Sequence, residues 1–333
     1  MARYEPVPLP SGAAATSRPD LAAGVTRWAR SRPVRDLVAA FGGGFPDRLD
    51  TAGLLAWLDD FSADHWDFRR RHGAVERDEV AETGFPPDVV DLVRAAAGAL
   101  GLVEPRPAPA RRYDHLLVLG GLALSCLRRT AYAAQLIRTG AVEVGEVAAL
   151  GSFRPLRPAE TARLDSTADS TMDAGPELGY EVDAMDLGVR TAFGSAAPEL
   201  RRRSPGAVDH HSWSVSVYRP PAGPVVRVLA APSTEPASRR AHTSDTYHFW
   251  AGQVAPAAGD RVLVLTSQLY VPFQHCDAIR TLGLGYGCEL ATIGLDPAQS
   301  PQPAAAPRPN TDQYLQEIRS AVRSMRNLYH ELD

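Results

Sequence analysis

Two textures of hydrophobic spacing divide the chain. From Val25 to Glu104 apolar residues recur at helical intervals, in Leu37-Val38-Phe41, Leu54-Leu55-Trp57-Leu58-Phe61 and Val89-Val90-Leu92-Val93-Leu100. Gly42-Gly43-Gly44 and Phe85-Pro86-Pro87 punctuate these runs. Asp50 or Thr51 suits the cap of the second helix, and Pro87 suits the first turn of the third. The pattern predicts a helical N-terminal domain over 23–105, serving as a lid, a dimerisation element or a recognition domain. The Pro-, Ala- and Ser-rich stretch 1–22 before it reads as a disordered arm.

After the stiff segment Pro105-Arg106-Pro107-Ala108-Pro109 the spacing changes. Short apolar runs predict strands at His115–Leu119, Val147–Leu150, Val225–Ala230, Arg261–Leu265 and Glu289–Ile293. Helical stretches lie between them, at about Leu124–Arg138, Glu181–Phe193, Thr243–Gln253 and His275–Leu282. This alternation implies an α/β fold over 113–296: a Rossmann-like, mostly parallel sheet with helices on both faces. An insertion, roughly Ala196–Pro224, interrupts it, and Trp213–Tyr218 within it alternates like one strand of a hairpin. A Pro/Ala linker at 297–309 precedes a C-terminal amphipathic helix over 310–333. Asn310 and Gln313 form its capping box, and Leu315, Ile318, Val322, Met325, Leu328 and Tyr329 form its apolar stripe. Such a stripe packs on the body or on a second copy, so the terminal helices are candidates for homo-oligomerisation.

Composition narrows the function classes. Hydrophobic residues make up 44% and charged residues 22%, enough for a sizeable core. The formal net charge of -4 argues against nucleic-acid binding, which needs a basic face. The three cysteines, Cys126, Cys276 and Cys288, are odd in number and lack a C-x-x-C pair, so neither a disulfide framework nor a zinc ribbon fits. The longest apolar stretch, Leu116–Leu127, is too short to span a bilayer, and Met1–Gly24 has no signal-peptide core. A cytoplasmic location, with no membrane partner, is the expectation.

Several strands end in Gly, Ser or Thr, where doubly wound folds bind ligands. Gly120-Gly121 lets the backbone approach an anion at a helix N-terminus, although the G-x-G-x-x-G fingerprint is absent. Ser152 and Arg154 follow the second strand and suit a phosphate or carboxylate. Arg240, His242, Thr243, Asp245 and Thr246 form the densest polar cluster, in which Thr243 is also a plausible helix cap with Thr246 as its box partner. Thr266 and Ser267 end the fourth strand, with Tyr270, Gln274 and His275 following. Glu181 opens a helix and is a candidate general base or ribose ligand, beside the plainer role of dipole partner. Asp209-His210-His211 is a weak metal signal without a second cluster, so no metal is expected.

Taken in order, these pieces resemble the SanA/YdcF-like family, a domain of unknown function. Its R-x-x-x-A-x-x-L-x-x-x-G segment corresponds to Arg129, Ala133, Leu136 and Gly140. Gly151-Ser152 and Glu181 correspond to its next strand end and helix start, and His242–Thr246 and Leu265–Gln274 to its two later polar segments. The chain departs from the family at His242, Asp245, Tyr270 and Phe273, where the family has asparagine, glutamate, histidine and arginine. The resemblance implies a polar pocket at the strand ends, links to the cell envelope and S-adenosylmethionine as a possible cofactor.

The leading expectation is an enzyme acting on a small anionic metabolite, nucleotide-like or phosphorylated, by hydrolysis or group transfer. Arg129, Arg240 and Gly120-Gly121 would hold the anion. Thr243, Thr266 and Ser267 would supply hydrogen bonds, and Glu181, Asp245 or His242 would move protons. The alternatives are a non-catalytic nucleotide or S-adenosylmethionine binding module, and an interaction protein assembled through its terminal helices.

Overall fold

A computed structural model describes residues 4–13, 16–68, 83–167, 178–296 and 309–332. In chain order its elements are α1 (Arg18–Ala29), α2 (Arg32–Ala40), α3 (Thr51–Trp66), α4 (Pro87–Ala99), β1 (Arg112–Leu119), α5 (Ala123–Arg138), β2 (Glu143–Gly151), α6 (Pro158–Thr167), α7 (Glu181–Phe193), β3 (Leu200–Arg203), β4 (Ser214–Tyr218), β5 (Val225–Ala230), α8 (Thr243–Val254), β6 (Arg261–Ser267), α9 (Val271–Ala278), β7 (Glu289–Leu295) and α10 (Thr311–His330).

The chain forms two compact units. The first is discontinuous, drawing on Met1–Arg106, Gln268–Arg280 and Ala305–Asp333. Leu54, Leu55 and Leu58 of α3 are fully buried in it, as are Leu315, Ile318, Val322, Met325 and Leu328 of α10. The C-terminal stripe therefore packs within its own chain. Ser324 fixes the register, donating to the Phe273 carbonyl at 2.8 Å and to Asp277 at 2.6 Å. The Asn310–Gln313 capping box forms as its spacing predicts. The described part of the N-terminal stretch, 4–13 and 16–22, makes defined contacts. Tyr4 donates to Asp36 at 2.8 Å, the Val7 amide donates to the Ala99 carbonyl, and α1 begins at Arg18, capped by Ser17. Residues 297–308, the expected Pro/Ala linker but for its last residue, lie outside the described residues.

The second unit, Pro107–Ser267 and Thr281–Ala304, carries a seven-stranded sheet of order β3-β4-β5-β2-β1-β6-β7. The five strands β5-β2-β1-β6-β7 are parallel, and β3 and β4 add an antiparallel hairpin at one edge. Leu116–Val118, Val147–Leu150 and Val262–Leu265 are buried on both faces, as central parallel strands must be. Successive residues of β1 show the two layers. Leu116 joins a core with Cys126 and Ala133 of α5 and Met185 of α7, while His115 sets its ring edge-on to Trp250 of α8 at 5.1 Å. The α/β fold with a preceding helical region is thus as the hydrophobic spacing implies. Among the described residues no helix is long and apolar enough to cross a membrane.

Candidate functional site

The strand order reverses at β1. From β1 the chain winds outward through β2 to β5, then returns to β6 on the other side of β1. Ligands of open α/β sheets bind in the crevice that such a reversal opens at the carboxyl ends of the strands. Arg129 of α5 spans that point. Its Nη1 donates to the Leu119 carbonyl at 2.8 Å and to the Gly120 carbonyl at 2.5 Å, and its Nη2 donates to Ser267 Oγ at 2.8 Å. A helical arginine thereby ties the end of β1 to the end of β6. Thr266, beside it, is buried with its hydroxyl unpartnered among the described residues.

The exit of β2 and the entry to α7 run alongside each other. The Glu181 and Val182 amides donate to the Arg154 and Ser152 carbonyls, and Pro155 bridges Tyr180. This pairing sets Ser152 Oγ 2.6 Å from Glu181 Oε2. Glu181 is buried, and a Cβ at position 120 would stand 2.6 Å from its Oε1, so the glycine is what admits the carboxyl. Burial pushes the Glu181 carboxyl up, against the Ser152 hydrogen bond and the charges of Arg154, Arg240 and Arg129.

Arg154 is not solvated but paired. Both of its terminal nitrogens donate to Glu160, at 2.7 and 3.0 Å, and Nη2 also donates to the Gly121 carbonyl at 2.8 Å. Glu160 accepts further from the Ala123 amide at the start of α5, at 3.0 Å, and from Arg157. Burial alone would raise its carboxyl, but the Arg154 and Ala123 hydrogen bonds win and hold it down at about 2. The helix N-terminus after Gly120-Gly121 therefore already meets an internal carboxylate. The sequence reading missed Glu160. The available signal was a glutamate in the first turn of a Pro-started helix, six residues after Arg154 and three after Arg157.

Asp245 is a lock on the loop before α8. It accepts from the Thr234 amide and hydroxyl at 3.0 and 2.6 Å, from Arg239 at 2.5 Å and from the His242 amide at 2.8 Å. Burial opposes its ionisation, but these donors outweigh it and keep the carboxyl well below the ordinary range. Asp245 is thus committed to structure, with Arg239 as an ion-pair partner. The N-cap of α8 is His242 with Asp245 as its box partner, not Thr243 with Thr246. Thr246 only donates to the Thr243 carbonyl one turn back. The His242 ring is more than half exposed, with Nδ1 3.2 Å from Asp245.

Tyr270, Gln274 and His275 belong to the first unit, not to the strand ends. The Tyr270 ring meets Phe273 edge-on, Gln274 is buried, and His275 Nε2 lies 2.9 Å from the Pro10 carbonyl. The chain leaves the sheet at Ser267, a departure that local spacing does not reveal. Asp209 accepts from the His211 amide and the Ser212 hydroxyl, an Asx turn.

Comparison with known proteins corrects the SanA/YdcF-like resemblance. Residues 12–101 match the family described as the Rv3785 N-terminal domain. Over 330 residues the chain is 29% identical to the uncharacterized protein Rv3785 of Mycobacterium tuberculosis, covering 93% of this chain and 89% of that one. The uncharacterized protein Mb3814 of Mycobacterium bovis matches with the same identity and coverage. No solved structure matches. The motifs behind the earlier resemblance have local explanations: His242–Thr246 is a helix cap, and Gln268–Gln274 belongs to another unit. The expectation of S-adenosylmethionine rested on that resemblance and loses this support.

Proposed function

We propose that the carboxyl ends of β1, β2 and β6 bind a small anionic metabolite, phosphorylated or nucleotide-like, and act on it by hydrolysis or group transfer. The observation that carries this reading is the buried Glu181 carboxyl, set beside the strand-order reversal that Arg129 spans and in the field of Arg129, Arg154 and Arg240. A carboxyl raised by burial above the ordinary carboxylate range is a candidate for proton exchange, and guanidinium charges favour an anion beside it. Arg240 is exposed, so it is the group a ligand reaches without unfolding the loop.

Binding without turnover is favoured by one observation, that Arg154 is already saturated by Glu160. The two readings share the site and differ in product formation.

The test is ligand-dependent melting with inorganic phosphate, nucleotides and sugar phosphates. A ligand at about 100 times its dissociation constant adds about 2.7 kcal/mol. The expected result is a stabilisation that Arg240→Ala weakens, followed by turnover assays on the ligand found. Equal stabilisation of the wild type and the Arg240→Ala variant would place the binding elsewhere.

A further inference from the structure

We propose that Ser152 is a nucleophile and Glu181 its general base, so that the strand ends cleave a carboxylic ester bearing an anionic group. The inference rests on the strand-end reading above and assigns its chemistry.

The orientation of the hydroxyl carries the argument. Ser152 Oγ donates to Glu181 Oε2 at 2.6 Å and accepts the Arg154 amide at 3.3 Å. A hydroxyl has one proton and two lone pairs. The proton points at the carboxylate and one lone pair at the amide, which leaves the other pair for attack. A nucleophile and a base within hydrogen-bond reach are the pairing an activated hydroxyl needs.

The contact is not required to end the helix. Asp183 accepts the Gly179 and Tyr180 amides at the start of α7, and the Glu181 and Val182 amides are taken by backbone carbonyls. The Ser152–Glu181 bond adds nothing to that cap. Gly120 presents no side chain towards the carboxyl, and the charges of Arg154, Arg240 and Arg129 favour its ionised, base-competent form.

The step balances as follows. Ser152 Oγ bonds to the ester carbonyl carbon as its proton passes to Glu181. The tetrahedral oxyanion collapses, the C–O bond to the alcohol breaks, and the departing alkoxide takes the proton from Glu181. Water then attacks the acyl-serine, giving its proton to Glu181. Collapse releases the acid, and Glu181 returns the proton to Ser152.

Phenylmethanesulfonyl fluoride probes the pair in the full chain. Its sulfur–fluorine bond breaks as the Oγ–sulfur bond forms, fluoride leaves, and the serine proton passes to Glu181. The expected result is one sulfonyl adduct per chain, mapped to Ser152, absent in Ser152→Ala and at least tenfold slower in Glu181→Gln. If Glu181→Gln fails to fold, the wild-type rate decides: it should rise with pH as a single group loses its proton, above the ordinary carboxylate value. A folded wild type without an adduct at Ser152, a flat pH profile, or undiminished labelling of Glu181→Gln would overturn the proposal. Phosphate-dependent melting of the wild type, read beside its labelling, separates the two ideas. Stabilisation without labelling sinks the nucleophile and keeps the anion site, whereas labelling without stabilisation does the reverse.

Discussion

Gly120 and Glu181 compete for one space at the head of the sheet: a Cβ on residue 120 would stand 2.6 Å from Glu181 Oε1 and 2.7 Å from the Leu150 carbonyl oxygen. The carbonyl belongs to β2 and cannot swing aside. Gly120→Ala is expected to cost about 1–3 kcal/mol by overpacking. Gly121→Ala meets only the Arg129 guanidinium, at 3.3 Å and beyond, and should cost less. Urea denaturation of both variants checks the order; a Gly120→Ala protein as stable as the wild type would mean that Glu181 does not sit beneath it.

Glu160 should dominate the acid limb of stability. Its folded carboxyl, at about 2, lies below the ordinary 4.5, so the unfolded chain binds the proton more tightly. Its contribution is therefore complete above the ordinary value and is lost as pH falls from 4.5 towards about 2. The amount is roughly 2–3 kcal/mol. Denaturation of Glu160→Gln against pH should show a lower neutral plateau and a flatter fall in acid.

Glu181 works in the opposite direction. Its folded carboxyl is raised, so the proton is bound more tightly in the folded state, and stability is lost as pH rises through the folded value. Glu181→Gln keeps the shape and removes the ionisation. Relative to the wild type, the variant should gain stability as pH rises above the ordinary carboxylate value of 4.5. A constant difference across that range would show that the carboxyl is not raised.

Asp245 and His242 are neighbours with unequal roles. Asp245→Ala strands the Thr234 and His242 amides and takes one of the carboxylates that Arg239 meets, leaving it Glu235, and should cost about 3 kcal/mol. His242→Ala removes a largely exposed ring and should fall within about 0.5 kcal/mol of the wild type. Comparable losses in thermal or urea melts would contradict the division.

At Gly188 two effects compete. Alanine in a helix interior is favoured over glycine by about 1 kcal/mol. The added Cβ, however, would stand 2.3 Å from Thr130 Oγ1 and 3.3 Å from the Leu127 Cα where α7 crosses α5. Backbone cannot yield as a side chain can, so Gly188→Ala should be destabilising, by about 1–2 kcal/mol net. A gain in melting temperature would show that the helices have room to part.

Helix α7 spans Glu181–Phe193, as its spacing predicts, because the apolar residues buried on its inner face are the periodic ones. The predicted helix near His275 instead starts at Val271 and passes into a π-helical turn at Ile279–Gly283. Of the candidate site residues, Ser152, Glu181, Arg129 and Gly120 do meet. Each lies at a strand end or on the helix beside one, and strand ends of a parallel sheet share an edge. Tyr270 and His275 are close to Ser267 in sequence only, because the chain has already left the sheet there.

What the sequence determined by itself was the kind of elements and their order. Alternating apolar strands and helices of this length bury their surface best as a layered parallel sheet, and the spacing from Val25 to Glu104 is helical, with no good strand pattern. What only the tertiary structure decided was pairing. Whether a buried carboxylate meets a hydroxyl, as Glu181 does, or a guanidinium, as Glu160 and Asp245 do, depends on distances of a few ångströms between residues far apart in the chain. Hydrogen bonds and ion pairs fall off over those distances, and no local pattern encodes them.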